Sequence, residues 1–257
     1  MRSTMSLLCL TCLALAVSVG ALGSGCPSWC EFRPEPDTVP DFEAATFTNP
    51  TQIDNPYMPL VPGVTRTYEA DTEDGLEETV VEVLADTREV AGVLSRVVRD
   101  RVYLDGHLIE DTHDWFAQDD DGNVWYMGEE VDNYNYDESW NLIDITHEGA
   151  WEAGEDVAGV GNIAKPGIVM EAAPEVGDVY NQEYYRCEAE DMAEVISLSE
   201  SVEVPYGSFD DCLQTEDWNP LEADSLEEKT YATGVGLVLE ENPDTGERTE
   251  LISVEGP

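Results

Sequence analysis

The sequence predicts an all-β fold, an antiparallel curved sheet that forms a sandwich or a half-barrel with little helix. Runs rich in valine and other β-branched residues alternate with polar positions along most of the chain. Asp-Gly turns at 105–106 and 121–122 separate such runs, and Asp-Gly is the strongest short-range signal for a hairpin. No amphipathic helix of any length interrupts the runs, so the sequence excludes a parallel sheet built from βαβ units.

The predicted strands follow one another at short spacing from residue 76 to near the end of the chain. Segments 76–84 and 93–104 come first, followed by HLIEDTHDWFAQ after the first Asp-Gly turn and VWYMGEE after the second. Later strands are predicted at 178–187, 194–204, 211–218, 226–232, 235–241 and 247–254. The region 131–167 is rich in Asn, Gly and Trp and is the least regular, so we expect a long excursion that carries function.

The N-terminal part has the pattern of an export signal. Residues 1–25 carry Arg2, an apolar run and a small-residue end, which together predict a signal peptide. Cys26 follows a degenerate lipobox, so we expect it to be lipidated; plain secretion is the alternative. Residues 26–45 contain four prolines and predict an extended tether. Residues 46–257 then form a single β-domain.

The charge balance limits the environment and the partners. The chain has 57 acidic and 11 basic residues and a formal net charge of −46. Nucleic-acid binding is excluded because it depends on Lys and Arg at the phosphates. An anionic membrane would repel the protein, so membrane attachment is expected only through the lipid. High salt, abundant divalent cations or a need for solubility would each tolerate this charge.

An oxidising compartment makes the cysteines of an exported protein candidates for disulfides. Cys187 and Cys212 lie in the predicted domain, and we expect them to join neighbouring strands. Cys30 is then free if Cys26 is lipidated, or paired with Cys26 if it is not. Zinc is excluded because close cysteine pairs with histidine partners are missing.

The acidic turn at 119–123 raises the question of calcium. Asp119 and Asp121, with Glu129, offer oxygen ligands for a loose cage shared with a neighbouring loop. The spacing does not fit an EF-hand in any register, and a hairpin turn with a positive φ at Gly122 or Asn123 explains the same residues. Both interpretations stay open, and calcium is the one possible cofactor that the sequence indicates.

Neither the histidines nor any catalytic motif of the sequence identifies a metal site or an active site. His107, Asp111 and His113 share one strand face, but six residues of strand put the two histidines ~20 Å apart, too far to bind one metal. His147 lies in the irregular region near Asp144. No Ser-centred catalytic elbow occurs, and paired carboxylates arise by chance in so acidic a chain. We therefore assign no catalytic residue.

Aromatic residues are concentrated in the irregular region. Tyr134, Tyr136, Trp140 and Trp151 would form a patch that binds a sugar or an apolar ligand if they lie at the surface. Packing into the core is the alternative interpretation.

Several blocks resemble a family of exported bacterial proteins whose function is uncharacterised. The resemblance covers nearly the whole mature chain and supports a single domain, but it implies no catalytic residues. The blocks are NPYMPLVPG (55–63), DTHDWFAQDDDGNVWYMGE (111–129), KPGIVM (165–170), VGDVYNQEYY (176–185) and VPYGSFDDCLQT (204–215).

These observations together favour a non-catalytic lipoprotein of the cell envelope, in the periplasm or on the cell surface, that binds or scaffolds an envelope ligand or protein. A secreted hydrolase of a glycan or an ester, using carboxylates as acid and base, is one alternative. A weak calcium binder at the cell surface is the other.

Overall fold

A computed structural model describes residues 34–159, 161–222 and 225–257. Within these ranges the chain is antiparallel β-structure with one short 3₁₀ helix at Phe42–Ala44. No helix among these residues is long and apolar enough to cross a membrane. The strands are β1 Thr65–Asp71, β2 Leu76–Val90, β3 Val93–Leu104, β4 His107–Gln118, β5 Val124–Tyr136, β6 Leu142–Thr146, β7 Trp151–Glu152, β8 Lys165–Met170, β9 Val179–Asn181, β10 Glu183–Tyr184, β11 Met192–Val204, β12 Gly207–Trp218, β13 Glu227–Ala232, β14 Gly236–Glu241 and β15 Arg248–Glu255.

The strands form one sheet that curls back on itself. Its order is β10-β8-β5-β4-β3-β2-β1-β15-β14-β13-β12-β11-β9, while β6 and β7 pair with β5 beside this path. The two ends of the path, β9 and β10, are separated in the chain by Gln182 alone. The sheet therefore has a nearly closed barrel shape. The prediction of a curved antiparallel sheet is confirmed, and the curvature goes further than a half-barrel.

A glycine lets the chain pass closely at this seam. Gly167 lies in β8, and a Cβ atom on it would collide with the backbone of Asn181 and Gln182. The β-strand therefore needs a residue without a side chain where the two ends of the sheet meet.

The hairpin predictions are confirmed. Asp105 and Gly106 both have positive φ, at 49° and 80°, and connect β3 to β4. Gly122, with φ at 102°, lies in the turn between β4 and β5. Residues 131–167, predicted to be the least regular part of the domain, contain more strand than an excursion would, because β5 continues to Tyr136, β6 and β7 follow, and β8 begins at Lys165. Strand pairing uses backbone groups, so the polar side chains of this segment did not prevent it.

The described part of the predicted tether contacts the domain. The ring of Phe42 lies 5.4 Å from the ring of Trp125, and Thr38 Oγ1 donates to Asn181 Oδ1 at 2.8 Å. The predicted signal peptide, Cys26 and Cys30 lie outside the described residues.

The predicted Cys187–Cys212 disulfide is wrong. Cys212 is a free, buried thiol, whereas Cys187 is disulfide-bonded to a partner outside the described residues. The register explains the error, because Met192 pairs with Trp218. Cys187 therefore lies beyond that end of β12, while Cys212 lies six residues along it, ~20 Å away. A disulfide needs Cα atoms within about 7 Å.

Candidate binding site inside the curled sheet

The inward face of several strands changes from apolar to polar along its length. In β2 the buried residues are Val83 and Val81 at one end, followed by Thr79 and Glu77. In β12 the series runs from Leu213 through Thr215 to Asp217, all buried. Because residues two apart in a strand share a face, the interior has an apolar half and an acidic half.

Buried acidic residues occur on both sides of the inner face of the curled sheet, and together they are here called the acidic belt. On β2 to β5 it contains Glu77, Asp100, Glu110, Asp114 and Glu129. On β10, β12, β13, β14 and the segment before β11 it contains Glu183, Asp191, Asp217, Glu227 and Glu240. Each of these ten residues is 6% exposed or less. Direct cross-strand pairs within the belt include Asp114 with Glu129 and Asp217 with Glu227.

Lys229 places one ammonium group in the belt. Its Nζ lies 3.3 Å from Asp217 Oδ2, 3.7 Å from Glu240 Oε2 and 3.9 Å from Glu227 Oε2. Burial lowers the pKa of Lys229, but these carboxylates outweigh burial and raise the pKa well above its ordinary value. The lysine is therefore protonated and acts as a counter-ion, not as a nucleophile.

Burial raises the pKa of other members of the belt. Burial raises the pKa of Glu77 to about 8, with Glu247 and Glu240 adding to the effect. The pKa of Glu129 is likewise raised well above its ordinary value, mainly by burial and next by the negative charge of Asp114. Burial raises the pKa of Glu240 to about 7 against the opposing effect of Lys229. Glu77 is therefore mainly protonated at pH 7.

The buried acceptor atoms without a hydrogen-bond partner in the protein include Glu77 Oε1, Thr79 Oγ1 and Thr249 Oγ1. Thr249 lies opposite Glu240 on one side and opposite Ala70 on the other, and Ala70 lies opposite Glu77. The threonines are 1% and 2% exposed. The three acceptors thus share the inward face: Ala70 separates Glu77 from Thr249, and Thr79 lies two residues further along β2.

The apolar half contains a cavity of about 60 Å³ next to the belt. Half-buried Met58 and Pro59 lie at its edge. Gln182 and Tyr231 line it on the belt side, and Gln182 Nε2 donates to Asp217 Oδ2 at 3.0 Å. Its wall is formed mainly by Leu60, Val81, Val98, Phe116, Val169 and Leu237.

The predicted calcium cage is not formed. Asp119 Oδ1 accepts the backbone N–H groups of Asp121, Gly122 and Asn123 at 3.0, 2.8 and 2.8 Å. Glu129 lies opposite Asp114 inside the sheet, ~17 Å along the hairpin from the turn. Among the described residues no group of three or more acidic, histidine or cysteine side chains is arranged to hold a metal ion. The hairpin-turn interpretation of Asp119 is the one the geometry supports.

The predicted aromatic patch is divided. Trp151 is 1% exposed and packs edge-on against Tyr126 in the core, with ring centroids 5.2 Å apart. Trp140 is 37% exposed and stacks on His107 at 4.0 Å, with Tyr136 beside it at 5.4 Å. The half-buried Tyr134 shares the outer part of β5 but joins none of these ring contacts.

The histidines are also separate. His113 and Asp111 border an outer groove in which the guanidinium of Arg88 lies 3.9 Å above the ring of Trp115. Asp111 is held by Arg99 through two hydrogen bonds of 2.7 and 2.5 Å. His147 Nδ1 lies 2.9 Å from Asp132 Oδ1. His107 stacks on Trp140, whereas His113 borders the outer groove, so the two side chains have different surroundings.

Sequence reasoning missed the acidic belt itself. The sequence does contain a signal for the belt. In β4, the polar residues Glu110, Thr112 and Asp114 occupy alternate positions. In β13, Lys229, one of the chain's two lysines, lies at an inward position. In β4, however, polar residues also occupy the outer positions. Alternation alone could not show which set faces inward.

Comparisons of the chain with protein-family models, with curated proteins and with solved structures found no match.

Proposed function

We propose that this protein is a non-catalytic binding protein of the cell envelope that holds a small ligand inside the curled sheet. The N-terminal sequence supports export and a lipid anchor on Cys26. The interior supports binding. This assignment keeps the binding class that the sequence favours and adds a location for the ligand.

The observation that carries the proposal is a cavity inside the curled sheet, lined in part by Gln182 next to the acidic belt, together with buried acceptors on the same inner face that have no partner in the protein. An unsatisfied buried polar group costs about 1–3 kcal/mol. The fold does not require that cost, because a valine at position 79 or 249 has nearly the same shape as threonine.

Hydrolysis receives less support from the same geometry. An acid–base pair must reach the scissile bond of its substrate, and the belt carboxyl groups are almost fully buried. Lys229 neutralises part of the belt as well. A surface calcium role follows from charge alone and has no assembled group of ligands among the described residues.

Thermal melts of the full mature chain with a panel of small amines, alcohols, carboxylates and sugars test the proposal. A ligand that binds only the folded state raises Tm. The variant Val81→Phe fills the cavity and should abolish the ligand-induced rise, whereas Val80→Phe places the same group on the outer face of β2 and should not. If no compound raises Tm at matched ionic strength, interior binding is refuted.

The anchor needs its own measurement. Cells given a labelled fatty acid should incorporate it into the wild-type protein and not into Cys26→Ser. If the wild-type protein carries no label and is found in the culture medium, the lipid anchor is refuted and plain secretion is supported.

A further inference from the structure

We infer that the ligand is a short-chain organic acid, bound as its carboxylate. The carboxylate would lie against the guanidinium of Arg66, and its short apolar tail would lie in the cavity of the apolar half. This inference rests on the proposed function and names the chemical class of the ligand.

The first argument is that Arg66 is a buried cation without a counter-ion. Arg66 is 7% exposed, and its Nε and Nη2 atoms donate to the carbonyls of Val235 and Pro59 at 2.9 Å. Among the described residues, no carboxylate forms an ion pair with it. A guanidinium stays charged and has five N–H donors, so two neutral carbonyls orient it and leave its charge uncompensated. A buried charge is costly unless it is paired.

The chain does not lack acidic residues that could pair with this arginine. It has 57 acidic residues against 11 basic ones, and the buried Lys229 has three carboxylates within 4 Å. Arg88, Arg99 and Arg101 each pair with a carboxylate. The guanidinium of Arg66 is therefore available to an anion from outside the chain, and a carboxylate matches its planar fork of donors.

The second argument is the position of Arg66 in the wall of the cavity. It is the one charged residue among the described residues that line the cavity, and Val81, Phe116 and Val169 provide apolar wall. Pro59, which accepts a hydrogen bond from Arg66, lies at the half-buried edge. A carboxylate at the guanidinium would therefore lie near this edge, and its tail would contact the apolar wall.

The third argument is the separation between Arg66 and the acidic belt. Glu77 lies opposite Ala70, which is four residues and ~13 Å along β1 from Arg66. Asp100 lies opposite Val81, and Val81 lies opposite Arg66, so Asp100 is two strands and ~10 Å away. A carboxylate bound to Arg66 is therefore much closer to this cation than to either belt residue.

The volume of the cavity limits the length of the tail. It is about 60 Å³, well below the ~150 Å³ of a protein cavity that admits benzene. A tail of roughly two or three carbon atoms suits this space. A sugar or a long-chain fatty acid exceeds it, and an inorganic anion would leave the apolar wall without a partner.

Calorimetry and thermal melts of the full mature chain with sodium butyrate at pH 7 test the inference. Controls in buffers of equal ionic strength are n-butanol, n-butylammonium chloride, sodium phosphate and NaCl. Only butyrate combines a carboxylate with an apolar tail. At saturation it should raise Tm by about 5 °C, and the four controls should not.

Variants of Arg66 locate the carboxylate. Arg66→Met removes the charge and keeps an unbranched apolar side chain, so it should weaken butyrate binding about thirtyfold. Arg66→Lys keeps the charge without the planar fork and should retain part of the affinity. Arg101→Met is the matched control, because Arg101 is on the outer face of β3, and this variant should bind butyrate as the wild type does.

A measurement on the wild-type chain covers the case in which Arg66→Met does not fold. In the ¹⁵N-labelled protein, the Nε–H resonance of Arg66 should shift when sodium butyrate is added and stay in place when NaCl is added. An unchanged resonance at saturating butyrate would overturn the assigned position.

The outcomes separate this inference from the proposed function. An equal rise with n-butanol would leave interior binding in place and refute the carboxylate class. An equal rise with sodium phosphate or NaCl would reduce the effect to charge screening and overturn the inference. Wild-type affinity in a folded Arg66→Met variant would overturn the assigned position. Binding of another class of compound, lost in Val81→Phe, would refute this inference and retain the proposed function.

Discussion

The two halves of the interior are built by the same strands and have opposite energetics. In the apolar half, polar groups are satisfied within the protein: Tyr68 donates its hydroxyl to the carbonyl of Leu237 at 3.0 Å, and Arg66 donates to the carbonyls of Val235 and Pro59 at 2.9 Å. In the acidic half, ten carboxyl groups are buried, three of them within 4 Å of Lys229, and acceptors that include Glu77 Oε1 and Thr79 Oγ1 have no partner in the protein. The apolar half therefore stabilises the fold, whereas the acidic half lowers its stability.

The largest expected effect comes from removing the counter-ion of the acidic half. Lys229→Met leaves Asp217, Glu227 and Glu240 buried without their positive partner. We expect the free energy of unfolding to fall by about 4 kcal/mol at pH 8. The loss should shrink at pH 5, where the carboxyl groups take up protons. Urea unfolding at both pH values measures it, and equal losses would contradict the role of Lys229 as a counter-ion.

The apolar half should respond without any pH dependence. Phe116 is fully buried, lines the cavity and stacks on Tyr126 at 5.1 Å. Phe116→Ala is expected to cost about 3 kcal/mol, from lost burial and a larger cavity. Urea unfolding should give the same loss at pH 5 and pH 8. A loss that depended on pH would mean that the two halves are not energetically separate.

A belt residue away from Lys229 should destabilise the protein when it ionises. The pKa of Glu77 is about 8 in the folded protein, against an ordinary value of 4.5. The folded state therefore holds a proton that the unfolded state has released, and stability is lost as pH rises from about 4.5 to 8. Glu77→Gln should raise the free energy of unfolding by on the order of 2 kcal/mol at pH 9 and leave it unchanged near pH 4.

The outward neighbour provides the control for this prediction. Glu78 lies on the other face of β2, so Glu78→Gln should leave the free energy of unfolding nearly unchanged at both pH values. A gain at pH 9 as large as that of Glu77→Gln would attribute the effect to overall charge and not to burial.

The smallest expected effect concerns the free thiol of the core. Cys212 is fully buried, so a thiol reagent should modify it only after unfolding. Cys212→Ala should lower the free energy of unfolding by about 1 kcal/mol through lost packing. Rapid labelling of Cys212 in the folded protein would contradict its position in the core.

The sequence predicts the strands well because their signals are local. The Asp-Gly turns at 105–106 and 121–122 and the runs between them lie where the structure has hairpins. The error at Cys187 and Cys212 has a different origin. Pairing of residues distant in the chain depends on register between strands, and the alternation of polar and apolar residues does not specify that register.

The candidate site was harder to predict because a sequence does not give side-chain burial. Asp114 follows His113 in the chain, yet Asp114 is fully buried, whereas His113 is half-buried and faces the outer groove. With 57 acidic residues in the chain, the ten that turn inward cannot be distinguished by composition. Only closure of the sheet, with Gly167 against Gln182, gives them an interior to face.

That closure also affects how copies of the protein meet each other. The two ends of the main sheet, β9 and β10, are nearly consecutive in the chain, so the barrel is nearly closed. Strand β6 lies outside this path and pairs with β5 alone. Leu142, Ile143 and Ile145 on β6 are 50%, 65% and 41% exposed. An open strand edge with apolar side chains favours edge-to-edge aggregation, and repulsion between copies of charge −46 opposes it. The acidic surface therefore protects β6, and aggregation should begin at this strand once acid neutralises that surface.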